Sequence, residues 1–272
     1  KLYYYAGTKS RRRERWCRAL RFSDTLPVKI VLLGAGGTGG HIAPHLYRLA
    51  YALDREVEII IVDGDTVERS NLVRQNFCVI DLKQNKARVI AERYSAAFGM
   101  EANYISHYIE DEQELYDLVQ CPKRLRPAGA GFEVGYTILI GAVDNDKSRV
   151  MCHSVFQNAR RLIYIDSGNG EYQGQVVCGV KLDGHTFNRS LISVFPTVLE
   201  SEDKFPTELS CEEAAISAPQ SMAANLTAAS IVVNYVYNIV ARGQLTAKYS
   251  TFSTLSLTTR TVGIKKKRRL AA

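Results

Sequence analysis

The sequence holds six cysteines but no pair at Cys-x-x-Cys spacing: Cys17, Cys78, Cys121, Cys152, Cys178 and Cys211 stand apart. That spacing argues against a zinc ribbon and against a disulfide-framed secreted domain. No apolar run reaches the roughly 18 residues that a membrane-spanning helix requires. The nearest, residues 231–240, is interrupted by Asn234 and Asn238 and reads as a buried helix, so no membrane partner is expected. Histidine is scarce. His41 and His45 lie four apart on one helical stretch with no third ligand near in sequence, and His107, His153 and His185 are isolated, so all are read as non-ligating residues. Internal repeats and low-complexity linkers are missing too. No signal-peptide pattern precedes Arg11, and the expected location is cytoplasmic.

What is present is ordinary globular chemistry. The chain has 272 residues, of which 46% are hydrophobic and 23% charged, enough for a substantial core. Its net charge of +7 is gathered at the two ends. Arg11, Arg12, Arg13, Arg15, Arg18 and Arg21 crowd one, and Lys265, Lys266, Lys267, Arg268 and Arg269 crowd the other. Neither cluster has a recognisable DNA-binding motif, so nucleic acid is a disfavoured partner, and the C-terminal run, which has no aromatics, reads as a solvated tail. The expected organisation is a basic extension over 1–27, one domain over 28–264 and a basic tail over 265–272.

The hydrophobic pattern predicts strands at 28–33 and 57–62 joined by a helix at 38–53, a βαβ unit that implies parallel pairing. Downstream it predicts a polar irregular stretch at 63–82, a helix at 84–98, a strand at 102–106, a short helix at 111–119 and a surface loop at 121–135. A strand at 136–140, a helix at 147–159 and a strand at 162–166 complete the alternation. Beyond them the pattern gives a half-exposed strand at 174–181, a loop at 183–210, a long helix at 217–241 and two antiparallel strands at 248–255 and 257–264. The expected fold class is therefore α/β: a Rossmann-like, mainly parallel sheet flanked by helices, with antiparallel strands on its C-terminal side.

Gly34, Gly36 and Gly39 stand at Gly-x-Gly-x-x-Gly spacing between the first strand and its helix, with Gly37 beside them. Such a turn lets backbone approach a phosphate, and the helix start offers N–H groups and positive dipole. Asp63, closing the second strand, is placed to accept a ribose hydroxyl. A nicotinamide dehydrogenase would fit these features equally well. It would not need the polar cluster that this chain carries close behind Asp63: Asp65, Glu68, Asn71, Arg74 and Gln75.

That string resembles the hallmark of the E1-like (ThiF/MoeB/HesA) adenylating superfamily, Asp-x-Asp-x-Val-x-x-x-Asn-x-x-Arg-Gln after the second strand. Asn85-Lys86-Ala87 resembles the family's lysine at the next helix start, and Val143-Asp144-Asn145 its catalytic aspartate. Within the superfamily, the strings 33–39, 71–75 and 84–87, together with Ser210-Cys211-Glu212 ahead of a helix carrying Asn225, resemble the ThiF-family protein of bacterial PRTRC gene systems.

The resemblance implies an enzyme that binds ATP and Mg²⁺ and adenylates the C-terminal carboxylate of a ubiquitin-like or sulfur-carrier protein. Relatives that adenylate a small molecule or a tRNA base, and a non-catalytic scaffold, are the alternatives. Arg74 and Lys86 would offset charge on the phosphates, Asn71 and Gln75 would bond phosphate oxygens or hold Arg74, and Asp144 would hold the metal. Read blandly, Arg74 is a surface arginine paired with Asp65 or Glu68, and Asp144 is a helix N-cap. The resemblance also implies a homodimer in which one of Arg11, Arg12, Arg13 or Arg15 enters the partner's site. Finally it implies a thioester-forming cysteine on a crossover loop at 183–216. Cys211 fits by its place before a helix, whose dipole lowers a thiol pKa, although Glu212 and Glu213 would raise it.

Overall fold

The computed structural model describes residues 19–126, 129, 131–208 and 221–264. A nine-stranded mixed sheet forms the middle layer. Its parallel half contains β2 (Val28–Leu33), β3 (Val57–Val62), β4 (Asn103–Ile105), β7 (Tyr136–Gly141) and β8 (Leu162–Asn169). Its antiparallel half contains β9 (Gln173–Leu182), β10 (His185–Asn188), β12 (Ala247–Ser253) and β13 (Thr258–Gly263). The order across the sheet is β13-β12-β9-β8-β7-β2-β3-β4, with β10 also on β9. Helices α1 (Gly37–Tyr51), α2 (Lys86–Phe98) and α5 (Met222–Val240) pack on one face, and α3 (Glu112–Leu118) with α4 (Asp146–Asn158) on the other.

Strand alternation decides which side chains meet which helices. Ile30 and Leu32 of β2, Ile59 and Ile61 of β3, and Ile138 and Ile140 of β7 enter the core under α1, α2 and α5. Their neighbours Val31, Leu33, Ile60, Val62 and Leu139 enter the smaller core under α3 and α4. A strand buried on both faces needs a nearly continuous apolar run, and β2 and β7 have it. By length and composition alone α5 would also pass for a membrane span, because Met222 to Ile231 extends the apolar run read from the sequence. Its buried Ala224, Ala228, Val232 and Val236 pack against α1 and the sheet.

Three details depart from the sequence reading. Packing begins upstream of Val28: β1 (Leu20–Arg21) pairs with β11 (Gln244–Leu245), Leu20 is buried, and the Phe22 ring lies 5.9 Å from that of Tyr136. A two-residue strand has too little period to be seen in a basic segment. The loop at 121–135 contains a hairpin, β5 (Lys123–Leu125) against β6 (Phe132–Val134). The loop at 183–210 holds β10 and three 3-10 turns (Leu191–Ser193, Pro196–Glu200 and Pro206–Glu208), while 209–220 lies outside the described residues.

The polar stretch after β3 is shaped by two devices. Pro44 inside α1 has no N–H for the carbonyl of Gly40, and Asn76 Nδ2 donates to that oxygen instead, at 3.1 Å. Arg93 of α2 then donates to Asp81 Oδ2 at 2.6 Å and to the carbonyl of Asn76 at 3.3 Å. The segment carrying Asn71, Arg74 and Gln75 is thus fastened to both helices that flank it.

Candidate active site

β2 is bonded to β3 on one side and to β7 on the other, so the loops leaving β2 and β7 diverge over the carboxyl ends of the strands. In open α/β sheets ligands bind at such a reversal of strand order. A cleft of about 640 Å³ lies there. Gly34, Gly36, Gly37, Asp63, Asp65, Asn71, Arg74, Gln75, Lys86 and Asp144 all line it. Gly39 does not; its role is packing, since a Cβ there would sit 1.9 Å from the carbonyl oxygen of Gly34. Gly34 itself has φ +95°, a left-handed conformation that a side chain disfavours.

The glycine turn leads into α1 with no side-chain cap and no acidic residue in the first turn. The orphan N–H groups of a helix start and its dipole are suited to an anion. Asp63 ties this turn to β3: its Oδ2 accepts from the N–H of Ala35 at 2.6 Å and its Oδ1 from that of Asp65 at 2.8 Å. Each oxygen keeps a second lone pair for a hydroxyl, so anchoring the turn joins the ribose role read from sequence.

Lys86 opens α2 and points back to Asp65, Nζ to Oδ2 at 2.7 Å, with only 6% of its side chain exposed. The hydroxyl of Tyr108 donates to the other oxygen of Asp65. Burial and that bond raise the Tyr108 pKa, so it stays a donor. Asn85 caps α2 through Arg88 N–H and donates to the carbonyls of Asp63 and Asp65 at 2.8 and 3.1 Å. Asp65 is therefore held by both Lys86 and Tyr108. Asn71 is a turn former: its Oδ1 accepts from Glu68 N–H at 2.9 Å, and its carbonyl accepts from the N–H groups of Arg74 and Gln75. Gln75 is buried, and its Oε1 has no hydrogen-bond partner among the described residues. Asp144 is exposed on the opposite wall. The cap of α4 is Asn145, whose Oδ1 accepts from Ser148 N–H at 2.8 Å, so the Asp144 carboxylate is not spent on capping.

This geometry agrees with what comparison finds. The ThiF family profile matches residues 20–271. The chain belongs to the ThiF family. PaaA has a similar fold at TM-score 0.60 and 18% identity, over 88% of this chain and 65% of PaaA. E. coli MccB solved with ATP matches at TM-score 0.58 and 17% identity, over 89% of this chain and 65% of MccB. MccB solved with AMPCPP and MccA matches at 0.60 and 16%, with coverage of 89% and 65%. This chain thus spans about 65% of the length of these solved structures. No curated protein matches it significantly.

Several cleft residues of this ThiF-family chain carry no sequence signal. Tyr108, Arg149, Ser167 and Asn169 line the cleft from elements outside the family strings. Asn225, fully buried on α5, accepts from Asn169 Nδ2 at 2.9 Å and from the Thr38 hydroxyl at 3.4 Å, and its amide lies over Gly37. Cys211 and the arginines at 11, 12, 13 and 15 lie outside the described residues.

Burial, with the Asp65 carboxylate second, pushes the Asp63 carboxyl from 3.8 up to about 6, against the pull of Lys86 and the two amide donors. The native group then holds its proton more tightly than the unfolded one. The stability it contributes is fully present below pH 3.8 and is lost as the pH rises through about 6. Carboxyl-carbon NMR is expected to give a midpoint near 6; one at or below 3.8 would mean that the amide donors and Lys86 outweigh burial.

Proposed function

We propose that this protein binds Mg-ATP in the cleft and adenylates a carboxylate, the best candidate being the C-terminal carboxylate of a ubiquitin-like or sulfur-carrier protein. The observation that carries this reading is the convergence of Arg74, Lys86, Asp144 and the uncapped start of α1 on one cleft at the reversal of strand order. A nucleotide fits the donor set. A Cβ built on Gly36 would meet nothing closer than Gln75 Nε2 at 3.8 Å, so backbone lies open to the cleft where a phosphate needs it. Magnesium fits as well, in a particular way. Among the described residues no group of three or more His, Cys, Asp or Glu side chains gathers as a metal site. A lone carboxylate suits Mg²⁺, which takes one or two protein carboxylates and completes its shell with phosphate oxygens and water.

When bound, ATP supplies the electrophile: a carboxylate oxygen bonds to the α-phosphorus, the bond to the bridging oxygen breaks, and pyrophosphate leaves. The chain's own part is placement and charge. The helix start and glycine turn would bind phosphate oxygens, Arg74 and Lys86 would offset the charge that grows on them, and Asp144 would hold the metal. Asp63 would take a ribose hydroxyl. MccB solved with AMPCPP and MccA together supports a site that takes a nucleotide along with a second molecule. A thioester at Cys211, a homodimer completed by an N-terminal arginine and the finer PRTRC likeness belong to the same proposal, supported by sequence alone.

Pyrophosphate exchange tests it, run with Mg²⁺ and a panel of ubiquitin-like proteins and short peptides. Exchange is expected only with a carrier bearing a free C-terminus, and Asp144→Ala is expected to lower it by about 10²–10³-fold, the usual effect of losing one group that stabilises transition-state charge. ATP binding without exchange on any carrier would move the reading to a small-molecule or RNA substrate, with salt-sensitive tRNA binding as the mark of the latter. No ATP binding would overturn it.

A further inference from the structure

Asp144 sits on a connection of four residues, Ala142 to Asn145, between β7 and α4. Within the first turn of α4, Arg149 folds back over that loop. Its Nη2 donates to the carbonyl of Val143 and its Nη1 to Asp146 Oδ1, each at 3.0 Å. One planar group therefore holds the residue before Asp144 and the second residue after it. The side chain is 12% exposed.

Behind the guanidinium lies Asp166, fully buried at the last rung of the β7–β8 ladder, where it is level with Gly141. Tyr164 donates to its Oδ2 at 2.7 Å. Arg149 Nε stands 3.9 Å from that oxygen, close enough for charge attraction but too far for a hydrogen bond. Neither Nε nor Asp166 Oδ1 has a hydrogen-bond partner among the described residues. The arginine thus forgoes a bidentate grip on the buried carboxylate and gives one terminal nitrogen to the loop and the other to the first residue of α4. Two glycines make room: a Cβ on Gly168 would come within 2.9 Å of Nη2, and one on Gly141 within 3.3 Å of Asp166 Oδ2.

Stability alone is a poor reason for this arrangement. Burying an ion pair costs desolvation that well-packed apolar side chains avoid. What a rigid fork on a charged anchor does supply is a fixed loop geometry, which a single ammonium cannot reproduce. We propose that Arg149, anchored by Asp166, is the positioning residue that aims Asp144 into the cleft. This rests on the reading of Asp144 as the group that holds Mg²⁺.

The experiment is equilibrium binding of a fluorescent ATP analogue to the full chain, with and without Mg²⁺, for wild type, Arg149→Lys, Asp166→Asn and Asp144→Asn. Arg149→Lys is expected to keep Mg²⁺-free affinity within about twofold and to raise the half-saturating Mg²⁺ by about 10–100-fold, the range for a lost outer-shell partner. Asp166→Asn keeps the Tyr164 bond and the side-chain shape, and is expected to shift Mg²⁺ dependence the same way by a smaller factor. It also provides the test should Arg149→Lys melt below the assay temperature. An Mg²⁺ response that survives in both variants but vanishes in Asp144→Asn would overturn the positioning role alone. Loss of Mg²⁺-free affinity in a folded Arg149→Lys would overturn it too, because Arg149 would then be touching nucleotide itself. An Mg²⁺ response untouched by Asp144→Asn would remove the reading of Asp144, and the proposal with it.

Discussion

Lys86→Met is expected to fold and to lose pyrophosphate exchange by about 10²–10³-fold. Two opposing effects decide the split between fold and activity. Removing the ammonium leaves Asp65 without its cation, at 2.7 Å in the native chain. But the Asp65 side chain is 46% exposed, so water can solvate the abandoned carboxylate, and Tyr108 still donates to it. A pair with one partner this exposed contributes on the order of 1 kcal/mol or less to stability. Methionine keeps most of the buried stem volume, and the backbone bond from Lys86 N–H to the carbonyl of Asp65 at 2.9 Å does not depend on the side chain. A melting temperature within a few degrees of wild type is therefore expected, with exchange nearly gone. Differential scanning calorimetry beside the exchange assay separates the two. A variant that melts far lower would make Lys86 a structural residue, and one that exchanges normally would remove it from the phosphate site.

Gly36→Ala and Gly39→Ala are expected to fail in different ways although they lie three residues apart in one turn. A Cβ on Gly39 would stand 1.9 Å from the carbonyl oxygen of Gly34 and 2.9 Å from its carbon, both backbone atoms that no rotamer change can clear. The start of α1 would have to move off β2, and overpacking of a tight contact costs about 1–3 kcal/mol or more. Gly39→Ala should melt several degrees lower and bind nucleotide poorly as a consequence. At Gly36 the nearest atom to a new Cβ is Gln75 Nε2 at 3.8 Å, ordinary contact. That methyl group would project into the cleft where the bound anion approaches backbone. Gly36→Ala should keep the native melting temperature and lose ATP affinity by at least about tenfold, a difference of about 1.4 kcal/mol. Calorimetric binding with thermal melts checks both. Undiminished ATP binding by folded Gly36→Ala would mean that phosphates do not lie against the turn.

The division between sequence and structure reflects the range of the forces involved. Local periodicity was enough for the parallel half of the fold: the predicted bounds of β2 and β3 coincide with the observed strands, because strands buried on both faces must be continuously apolar. The order Gly34 to Gly39, Asp63 to Gln75, Lys86, Asp144 was also legible, since each string sits within or at the end of an element the pattern locates. Hidden from the sequence were the groups that these strings meet. Nothing near Lys86 says that it will lie on Asp65, which Tyr108 also holds, and nothing near Asp144 says that Asn145 will take the capping duty. Arg149 is five residues from Asp144 in sequence, but its meaning comes from Asp166, which strand pairing places level with Gly141. The amino-acid sequence by itself determined the family, the parallel core and which residues could bear charge into a cleft. Only the tertiary structure decided which charges meet each other and which side chains share the cleft, because that depends on burial and on angstrom-scale distances between segments far apart in the chain.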